Sequence, residues 1–482
     1  MEVSVGVIGG GPAAVATVIG LLEAENLKIT VVSASMENLA VEDLDAPPDA
    51  DVKKIKRSKR KYQPFNIDKH FQLNVKDAEV IPSNLMAGGW SKLWGATIAE
   101  WDSNAEIYFD IFSKNLIKEY KKIQSILPSL KETSRQYRSS LVQELIQDFE
   151  KQKTLQSKSL DGFQVSPSNL AIWNNTNKSN TCIYCAKCLS GCETKSIYSA
   201  EQTLDRILFE GNGKFSIYHG YADCIEEAQN KIKVHLSDKV SLEFDYLFVA
   251  SGLISSVGLL QRSNLVRDIE FQETPMFLIP LIKLGRQSKK KSADISLSEA
   301  FVDFHDTSKN LIASGQIYSL TKNLREVALG KTTSKLINLI PNCITSRIII
   351  LMLFTKPNNE KPIVIRNLEG LSEVMFPKSY LRQNYKNVIK KVHSNFRILG
   401  FRAFFGVSIL EHPGLSYHYA GARDKFSKEP ISDQNGLLKK TINKRVFLSD
   451  ACSMTNIEPG PLTVTIMANS IRIAEHFVKS MK

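Results

Sequence analysis

The stretch VSVGVIGGGPAA (3–14) decides the expected fold. Its first six residues predict a short apolar strand, and three glycines follow directly. VATVIGLLEAE (15–25) then repeats apolar residues at helical spacing, and LKITVVSAS (27–35) predicts a second, β-branched strand. Strand, glycine turn, helix and strand together form a βαβ unit, so the chain is expected to begin with an α/β nucleotide-binding domain.

Three residues of this turn fit the dinucleotide-binding pattern G-x-G-x-x-G/A, namely Gly9, Gly11 and Ala14. Gly9 permits the tight turn, Gly11 lets the backbone approach a pyrophosphate, and Ala14 allows the helix to pack closely on the strand. One element departs from the pattern, because Ser33 stands where a carboxylate is expected to hold the adenosine ribose; Glu37 lies nearby as a substitute. An ordinary glycine-rich turn remains the alternative.

Composition sets outer limits on the class of protein. A chain of 482 residues exceeds the size of one core, so two domains or one domain with a large insertion are expected. The longest apolar run, IIILMLF (348–354), is far shorter than the roughly 20 residues of a membrane span. The first residues resemble no signal peptide, and clustered cysteines suggest a reducing compartment, so we expect a cytoplasmic protein without a transmembrane segment.

The net charge of +12 is unevenly distributed, since DVKKIKRSKRKY (51–62) alone carries seven Lys or Arg residues. Such a run fits either an anionic partner or a solvated surface loop. No nucleic-acid-binding motif accompanies it and no aromatic residues interleave it. We therefore favour the loop and expect no nucleic-acid partner.

Three further segments extend the first motif: MAGGWSKLWGA (86–96), VASGLISSVGLLQRS (249–263) and VFLSDACSM (446–454). In this order and spacing, the four motifs resemble the glucose–methanol–choline family of FAD oxidoreductases, in particular its cholesterol-oxidase-like and bacterial sugar-dehydrogenase-like branches. The resemblance covers about 1–35, 80–100, 180–265 and 410–482. It is weak across 272–405, where that family places its variable substrate domain.

The resemblance implies an α/β fold: a Rossmann-like FAD-binding domain built from the discontinuous segments 1–271 and 406–482. Residues 272–405 would form an inserted β-rich substrate domain. We expect a basic insertion at about 36–75 and a helical insertion at about 103–157. FAD is expected to be noncovalent, because AGGWSKLWGA (87–96) contains no histidine or cysteine that could link to it.

The resemblance also implies a set of FAD contacts made by glycines, small residues and one carboxylate. They are Gly9, Gly11 and Ala14 at the pyrophosphate; Gly88, Gly89 and Ser91 near the isoalloxazine; Ala250, Ser251 and Gly252 beside the adenosine half; and Asp450 at the ribitol or pyrophosphate region. A structural alternative for Asp450 is a cap of the loop before the last helix.

The stretch SYHYAGAR (416–423) resembles the family's histidine motif and implies His418 as the catalytic residue. The expected reaction transfers a hydride from the carbinol carbon of a sugar or sterol-like alcohol to flavin N5, while a base takes the hydroxyl proton. An imidazole, with its pKa near working pH, suits the base. A structural histidine remains the alternative, His412 is a competing match, and the motifs name no electron acceptor.

The second member of the usual catalytic pair is missing. Aligning EPGPLTVTIMANS (458–470) with the family places Pro461 at the position of a His or Asn, and proline has no side-chain donor. This departure keeps two other classes open. One is a flavoprotein that reduces or isomerises a C=C bond, and the other is a non-catalytic binding protein that retains a nucleotide-binding fold.

Four cysteines lie in TCIYCAKCLSGC (181–192): Cys182, Cys185, Cys188 and Cys192. Their C-x2-C-x2-C-x3-C spacing matches a ferredoxin run, but neither the proline nor the second run of that motif follows. Zinc fits poorly, because its cysteine pairs are commonly spaced further apart. An iron–sulfur cluster and a close-packed turn of free thiols therefore both remain open, and we favour the turn.

Overall fold

The structure is a computed structural model. It describes residues 2–33, 71–73, 87–92, 94–99, 116–129, 137–155, 160–174, 180–186, 188, 192–210, 213–285, 295–320, 342–357, 362–369, 371–377, 382–403, 409–410, 414 and 416–481. The basic run 51–62, the competing His412 and the substitute Glu37 lie outside these residues, so the expectations that concern them stay predictions.

The predicted βαβ unit forms the centre of a five-stranded parallel sheet. In spatial order the strands are Val446–Leu448, Tyr246–Val249, Val3–Ile8, Leu27–Ser33 and Phe215–His219. Val5 and Val7 of the central strand are fully buried, as expected for a parallel sheet covered on both faces. The sheet thus gathers strands from the beginning, middle and end of the chain, and the expected α/β class is confirmed.

Two helices from opposite ends of the chain pack together against this sheet. Pro12–Leu21 begins directly after the glycine turn, with Pro12 in the first turn where a missing N–H is tolerated. It contacts the terminal helix Thr463–Ser480 closely, because a Cβ on Gly20 would lie 2.7 Å from the Cβ of Ala474. Both helices therefore fix the position of the glycine turn relative to the end of the chain.

The remaining elements of this part connect or cover the sheet. An antiparallel meander returns the chain from the edge strand to the centre; its strands are Ala222–Glu227, Ile232–Leu236 and Ser241–Phe244. The helices are Ile117–Ile126, Ala200–Glu210 and Leu253–Arg262, with short 3-10 helices at Gly89–Lys92 and Ala451–Ser453 and a two-stranded ladder of Thr97–Ile98 with Asn169–Leu170.

A large antiparallel sheet forms the second part of the molecule. Its strands, in spatial order, are Phe401–Ala403, Met276–Lys283, Ile348–Thr355, Leu311–Ser319, Ala300–His305 and Phe163–Pro167, with Ile409–Leu410 also paired to Met276–Lys283. The helices Ser140–Thr154 and Arg382–Ile398 pack on one face, and Asn342–Thr345 precedes the central strand. The helix Ser140–Thr154 packs on this sheet and the strand Phe163–Pro167 pairs within it, although both lie in the residues 1–271 expected to form the FAD-binding domain. That domain division stays a prediction.

A third sheet packs in the same apolar cluster as the helix Leu253–Arg262. Its strands are Tyr419–Asp424, Ile269–Glu273, Ile363–Leu368, Leu371–Met375 and Phe71–Leu73. The histidine motif therefore enters a strand that belongs to neither of the larger sheets. In the described part of the chain, no helix is long and apolar enough to cross a membrane.

Candidate active site

The glycine turn is tightly enclosed on the side that faces the sheet. Gly9 has a φ of +128°, and a Cβ there would lie 2.3 Å from the carbonyl oxygen of Ala250. A Cβ on Gly10 would lie 2.1 Å from the Oγ of Ser33. The first two glycines are therefore required by the ends of the neighbouring strands, whether or not a ligand binds.

The same turn is open on its other side. Gly11 caps the first helix without any side-chain hydrogen bond, and its Cβ would approach only Gly89 Cα at 3.9 Å and Gly88 O at 4.0 Å. A Cβ on Gly252, at the start of helix Leu253–Arg262, would meet no atom of the described residues within 4 Å. A helix N-terminus with unobstructed backbone fits the pyrophosphate of a dinucleotide, and the fully buried Ala14 fits the close packing expected of it.

The second glycine motif lies directly against the first. Gly88 and Gly89 both have positive φ angles, of +87° and +55°. The buried Ser91 donates a hydrogen bond to Gly88 O (2.5 Å) and accepts one from the N–H of Ala200 (2.8 Å). Ser91 therefore fixes this loop to the start of helix Ala200–Glu210, a positioning role that sequence reasoning missed.

Asp450 connects two helix starts. Its Oδ2 accepts hydrogen bonds from the N–H of Gly252 (2.8 Å) and the hydroxyl of Ser256 (2.5 Å), and its Oδ1 accepts one from the N–H of Cys452 (2.9 Å). Burial raises the pKa of Asp450, although these hydrogen bonds oppose the shift. The contacts agree with the structural alternative for this residue, and any contact with a cofactor stays a prediction.

The side chain of His418 stacks on Phe354 of the large sheet, with ring centroids 4.5 Å apart and planes inclined by 28°. Its backbone N–H donates to Ser416 Oγ (3.2 Å), and its carbonyl accepts from Thr274 N–H (3.2 Å). The imidazole is half-buried and its plane is set by a rigid apolar neighbour. This is the kind of fixed orientation that a proton-transferring residue needs.

A buried glutamate that the sequence analysis did not identify holds the loop before His418. Both carboxylate oxygens of Glu273 accept from Gly414 N–H (2.9 and 2.7 Å), and Oε1 also accepts from the N–H (3.2 Å) and hydroxyl (2.7 Å) of Ser416. Ser416 in turn holds the backbone of His418. Glu273 belongs to no motif, and only the folded loop identifies its role.

One aromatic contact brings the glycine loop and the histidine loop together. Trp90, which follows Gly89, packs against Tyr417, which precedes His418, with ring centroids 4.9 Å apart. Because Gly89 also lies against Gly11, the first, second and histidine motifs meet in one region. In the sequence the histidine motif lies more than 300 residues after both glycine motifs, and the structure brings it into contact with the second.

The loop before the terminal helix also reaches this region. A Cβ on Gly421, three residues beyond His418, would lie 3.3 Å from Met454 O and 3.4 Å from Thr455 O. Pro461 is buried and, as expected, provides no side-chain donor. Glu458 lies three residues before Pro461, and burial raises its pKa to about 7.

The four cysteines of the candidate cluster have different surroundings. Cys182 and Cys188 pack against an apolar cluster, and burial raises the pKa of both thiols, that of Cys188 to about 12. Burial also acts to raise the pKa of Cys192, but hydroxyl and N–H donors outweigh this effect, so the pKa is lowered. The hydroxyls of Ser196 and Thr194 lie 3.1 and 3.5 Å from the Cys192 Sγ.

Cys185 is exposed. Within the described ranges, no group of three or more His, Cys, Asp or Glu residues could hold a metal ion. The metal-site interpretation therefore has no structural support, and the contacts agree with a turn of free thiols.

No protein-family model matches the sequence, and no curated protein matches it either. Two solved structures are similar over the whole chain. Pyridoxine 4-oxidase from Mesorbium loti has a TM-score of 0.62 and 12% identity, covering 99% of each chain. Formate oxidase from Aspergillus oryzae RIB40, solved to examine FAD modification, has a TM-score of 0.63 and 10% identity, covering 100% of this chain and 98% of the other.

Both are glucose–methanol–choline oxidoreductases, so the fold expected from the motifs is confirmed. At this level of identity the similarity establishes the fold. The residues described above must carry the argument for function.

Proposed function

We propose that this chain is an FAD-dependent oxidoreductase of the glucose–methanol–choline type that oxidises a hydroxyl group of a small molecule. The observation that carries the proposal is the meeting of Gly11, Gly89 and His418 in one region through the glycine loops and the Trp90–Tyr417 contact. The fold shared with two oxidases supports it.

The cofactor would be held mainly by backbone. Gly9 and Gly11 would bring the helix N-terminus to the pyrophosphate, and Ala14 would allow the packing behind it. Gly252 would border the adenosine half, with Ala250 and Asp450 shaping that turn. Gly88 and Gly89, fixed by Ser91, would lie beside the flavin ring, which supplies a hydride acceptor when FAD is bound.

His418 would take the proton of the substrate hydroxyl. Phe354 holds the plane of its ring, and Glu273 holds its loop through Ser416. An imidazole accepts a proton only in its neutral form, so the rate of oxidation should rise with pH through one ionisation.

The wall beside Phe354 suggests a substrate with an apolar body. Met352 lies two residues before Phe354 on the same strand and pairs across the sheet with Leu278 and Gln316. Gln316 accepts a hydrogen bond from the Tyr318 hydroxyl. We therefore favour an aromatic or sterol-like alcohol over a sugar, because one amide and one phenol satisfy few of a sugar's hydroxyl groups.

The proposal is tested by anaerobic reduction of the bound flavin with a panel of aromatic, sterol-like and sugar alcohols. His418→Ala should lower the reduction rate by roughly 10²–10⁴-fold, the range of a positioned general base, and should abolish its rise with pH. Flavin content should persist, because His418 is not among the residues assigned to the cofactor.

A matched control is His235→Ala, which removes an imidazole from the meander, where it contacts Glu226 and Ser241 instead of the site. This variant should behave as wild type. Reduction at the wild-type rate in His418→Ala would show that the histidine is structural. Purified protein without any flavin would favour the binding-protein alternative, and turnover with activated alkenes alone would favour C=C chemistry.

A further inference from the structure

The proposed reaction needs a hydrogen-bond donor at the substrate oxygen, and Pro461 cannot supply one. Another group must therefore supply this donor if the proposed function is right. Beside Pro461 the loop carries one acidic side chain, Glu458, for which neither the motifs nor the mechanism above accounts.

The loop is fixed at both ends, next to the histidine strand. Asp450 holds its beginning through Cys452 N–H, and the terminal helix begins at Thr463. Between them, Thr455 O accepts a hydrogen bond from Arg423 Nη2 (2.8 Å), on the strand that follows His418. Residues 456–462 therefore run from the His418 strand to the terminal helix.

Glu458 turns one carboxyl oxygen inward. Its neighbours Ile457, Pro459, Gly460 and Pro461 are buried. The Oε2 atom of Glu458 is buried too, and it has no hydrogen-bond partner among the described residues. A buried polar atom without a partner is destabilising, so its retention points to a ligand that completes the site.

A second strand links Glu458 to His418. Phe354, which stacks on the His418 ring, is followed two positions later by Lys356. Among the described residues, the charge of Lys356 opposes the effect of burial on the pKa of Glu458. The Glu458 loop is joined through Thr455 O to Arg423 on the strand that follows His418, and the His418 ring stacks on Phe354 near the end of the strand Ile348–Thr355.

The protonation state of Glu458 suits a donor. Burial raises its pKa to about 7 although Lys356 lowers it, so a large fraction is neutral near neutrality. A neutral carboxyl group carries one O–H donor, whereas a carboxylate only accepts. Apolar surroundings can keep a carboxylic acid neutral for this purpose in an enzyme site.

We propose that protonated Glu458 donates a hydrogen bond to the substrate hydroxyl oxygen and replaces the donor that Pro461 lacks. In the reaction, His418 takes the hydroxyl proton, and the C–H bond breaks as its hydride leaves with both electrons for the acceptor of the proposed function. The oxygen, transiently negative, becomes the carbonyl oxygen of the product, and Glu458 keeps its proton throughout.

Two substitutions at one position test this role. Glu458→Ala removes the donor and should lower the rate of flavin reduction by roughly 10²–10³-fold, the effect of deleting one donor to a developing oxyanion. Glu458→Gln keeps a neutral donor and should stay within about 10-fold of wild type. The exposed Glu429, paired with Lys439, gives a control, and Glu429→Gln should change nothing.

The pH profile assigns the ionisation. The wild-type rate should fall as Glu458 ionises above about pH 7, and Glu458→Gln should lose this fall while keeping the rise that belongs to His418. The other charged groups next to the loop are Lys356 and Arg423. Lys356→Met should move the fall to higher pH, because the lysine charge favours the carboxylate.

Unfolding measured against pH gives a readout without turnover. Because burial raises the pKa of Glu458 in the folded state, its contribution to stability is full below the unfolded pKa of 4.5 and is lost as the pH rises through about 7. The stability of Glu458→Gln relative to wild type should therefore increase from about pH 4.5 to about pH 7 and stay constant above that range.

Rates and pH profiles that are the same in wild type, Glu458→Ala and Glu458→Gln would overturn the role of Glu458 but leave the proposed function intact. Equal losses in both variants, with the alkaline fall retained, would also overturn it. Wild-type flavin that no alcohol reduces would overturn the proposed function, and this inference with it.

Discussion

The two sides of the glycine turn differ in how much space they leave for a side chain. On the side facing the sheet, a methyl group on Gly9 or Gly10 would overlap Ala250 or Ser33. On the opposite side, a Cβ added to Gly11 would come no nearer than 3.9 Å to any described atom outside its own helix. A Cβ added to Gly252 would have no described atom within 4 Å. The difference shows that one pattern serves two purposes: the enclosed glycines let strand ends meet, and the open ones leave space for a ligand.

The largest effects should come from substituting one glycine on each side. Gly9→Ala should lower the free energy of unfolding by roughly 2–5 kcal/mol, because it combines a backbone overlap with a positive φ. Gly11→Phe should leave stability within about 1 kcal/mol of wild type, since its extended backbone suits any residue, but should yield protein without flavin.

Urea unfolding and flavin absorbance measure the two outcomes. Full flavin content in Gly11→Phe would remove Gly11 from the cofactor site. Stability unchanged in Gly9→Ala would show that the turn is less enclosed than the structure indicates.

A smaller effect should follow from comparing an enclosed glutamate, Glu273, with Glu270 on the same strand, which pairs with an exposed lysine. Glu273→Gln removes a buried carboxylate that accepts from Gly414 and Ser416, and should destabilise the fold by about 1.5–3 kcal/mol. Flavin reduction should slow by up to about 100-fold, because the His418 loop loses its anchor.

The control is Glu270→Gln on the same strand, where the carboxylate pairs with the exposed Lys428. Only the lysine of this pair is exposed, and solvent at the lysine screens the interaction, so this variant should lose about 1 kcal/mol or less. If both variants slow flavin reduction equally, Glu273 has no special role in positioning His418.

The smallest effects should appear at the cysteines, where burial again separates two chemically identical residues. Cys188→Ser places a hydroxyl against an apolar cluster and should destabilise the fold by about 1–2 kcal/mol. Cys185→Ser changes an exposed residue and should stay within about 0.5 kcal/mol.

Iron and acid-labile sulfide in the anaerobically purified protein should fall below one equivalent. Stoichiometric iron that both serine variants lose would instead restore the cluster interpretation.

The sequence determined the first βαβ unit, the glycine turn and the class of fold, because those features depend on short-range patterns of apolar residues and glycines. It also predicts His418 as the catalytic residue from the spacing of its motif to Asp450, and this assignment stays a prediction. It did not predict that Ser140–Thr154 and Phe163–Pro167 join the large antiparallel sheet, because the sheet that a strand joins depends on partners far away in sequence.

Only the tertiary structure decided which groups surround the histidine. Glu273 and Phe354 belong to no motif, and they reach the His418 loop and ring from different parts of the chain. Burial raises the pKa of Glu458, and burial is a property of the assembled loop, not of the sequence EPGP that contains it. Local pattern thus fixes the backbone frame for a cofactor, while long-range packing sets the electrostatics of the chemistry.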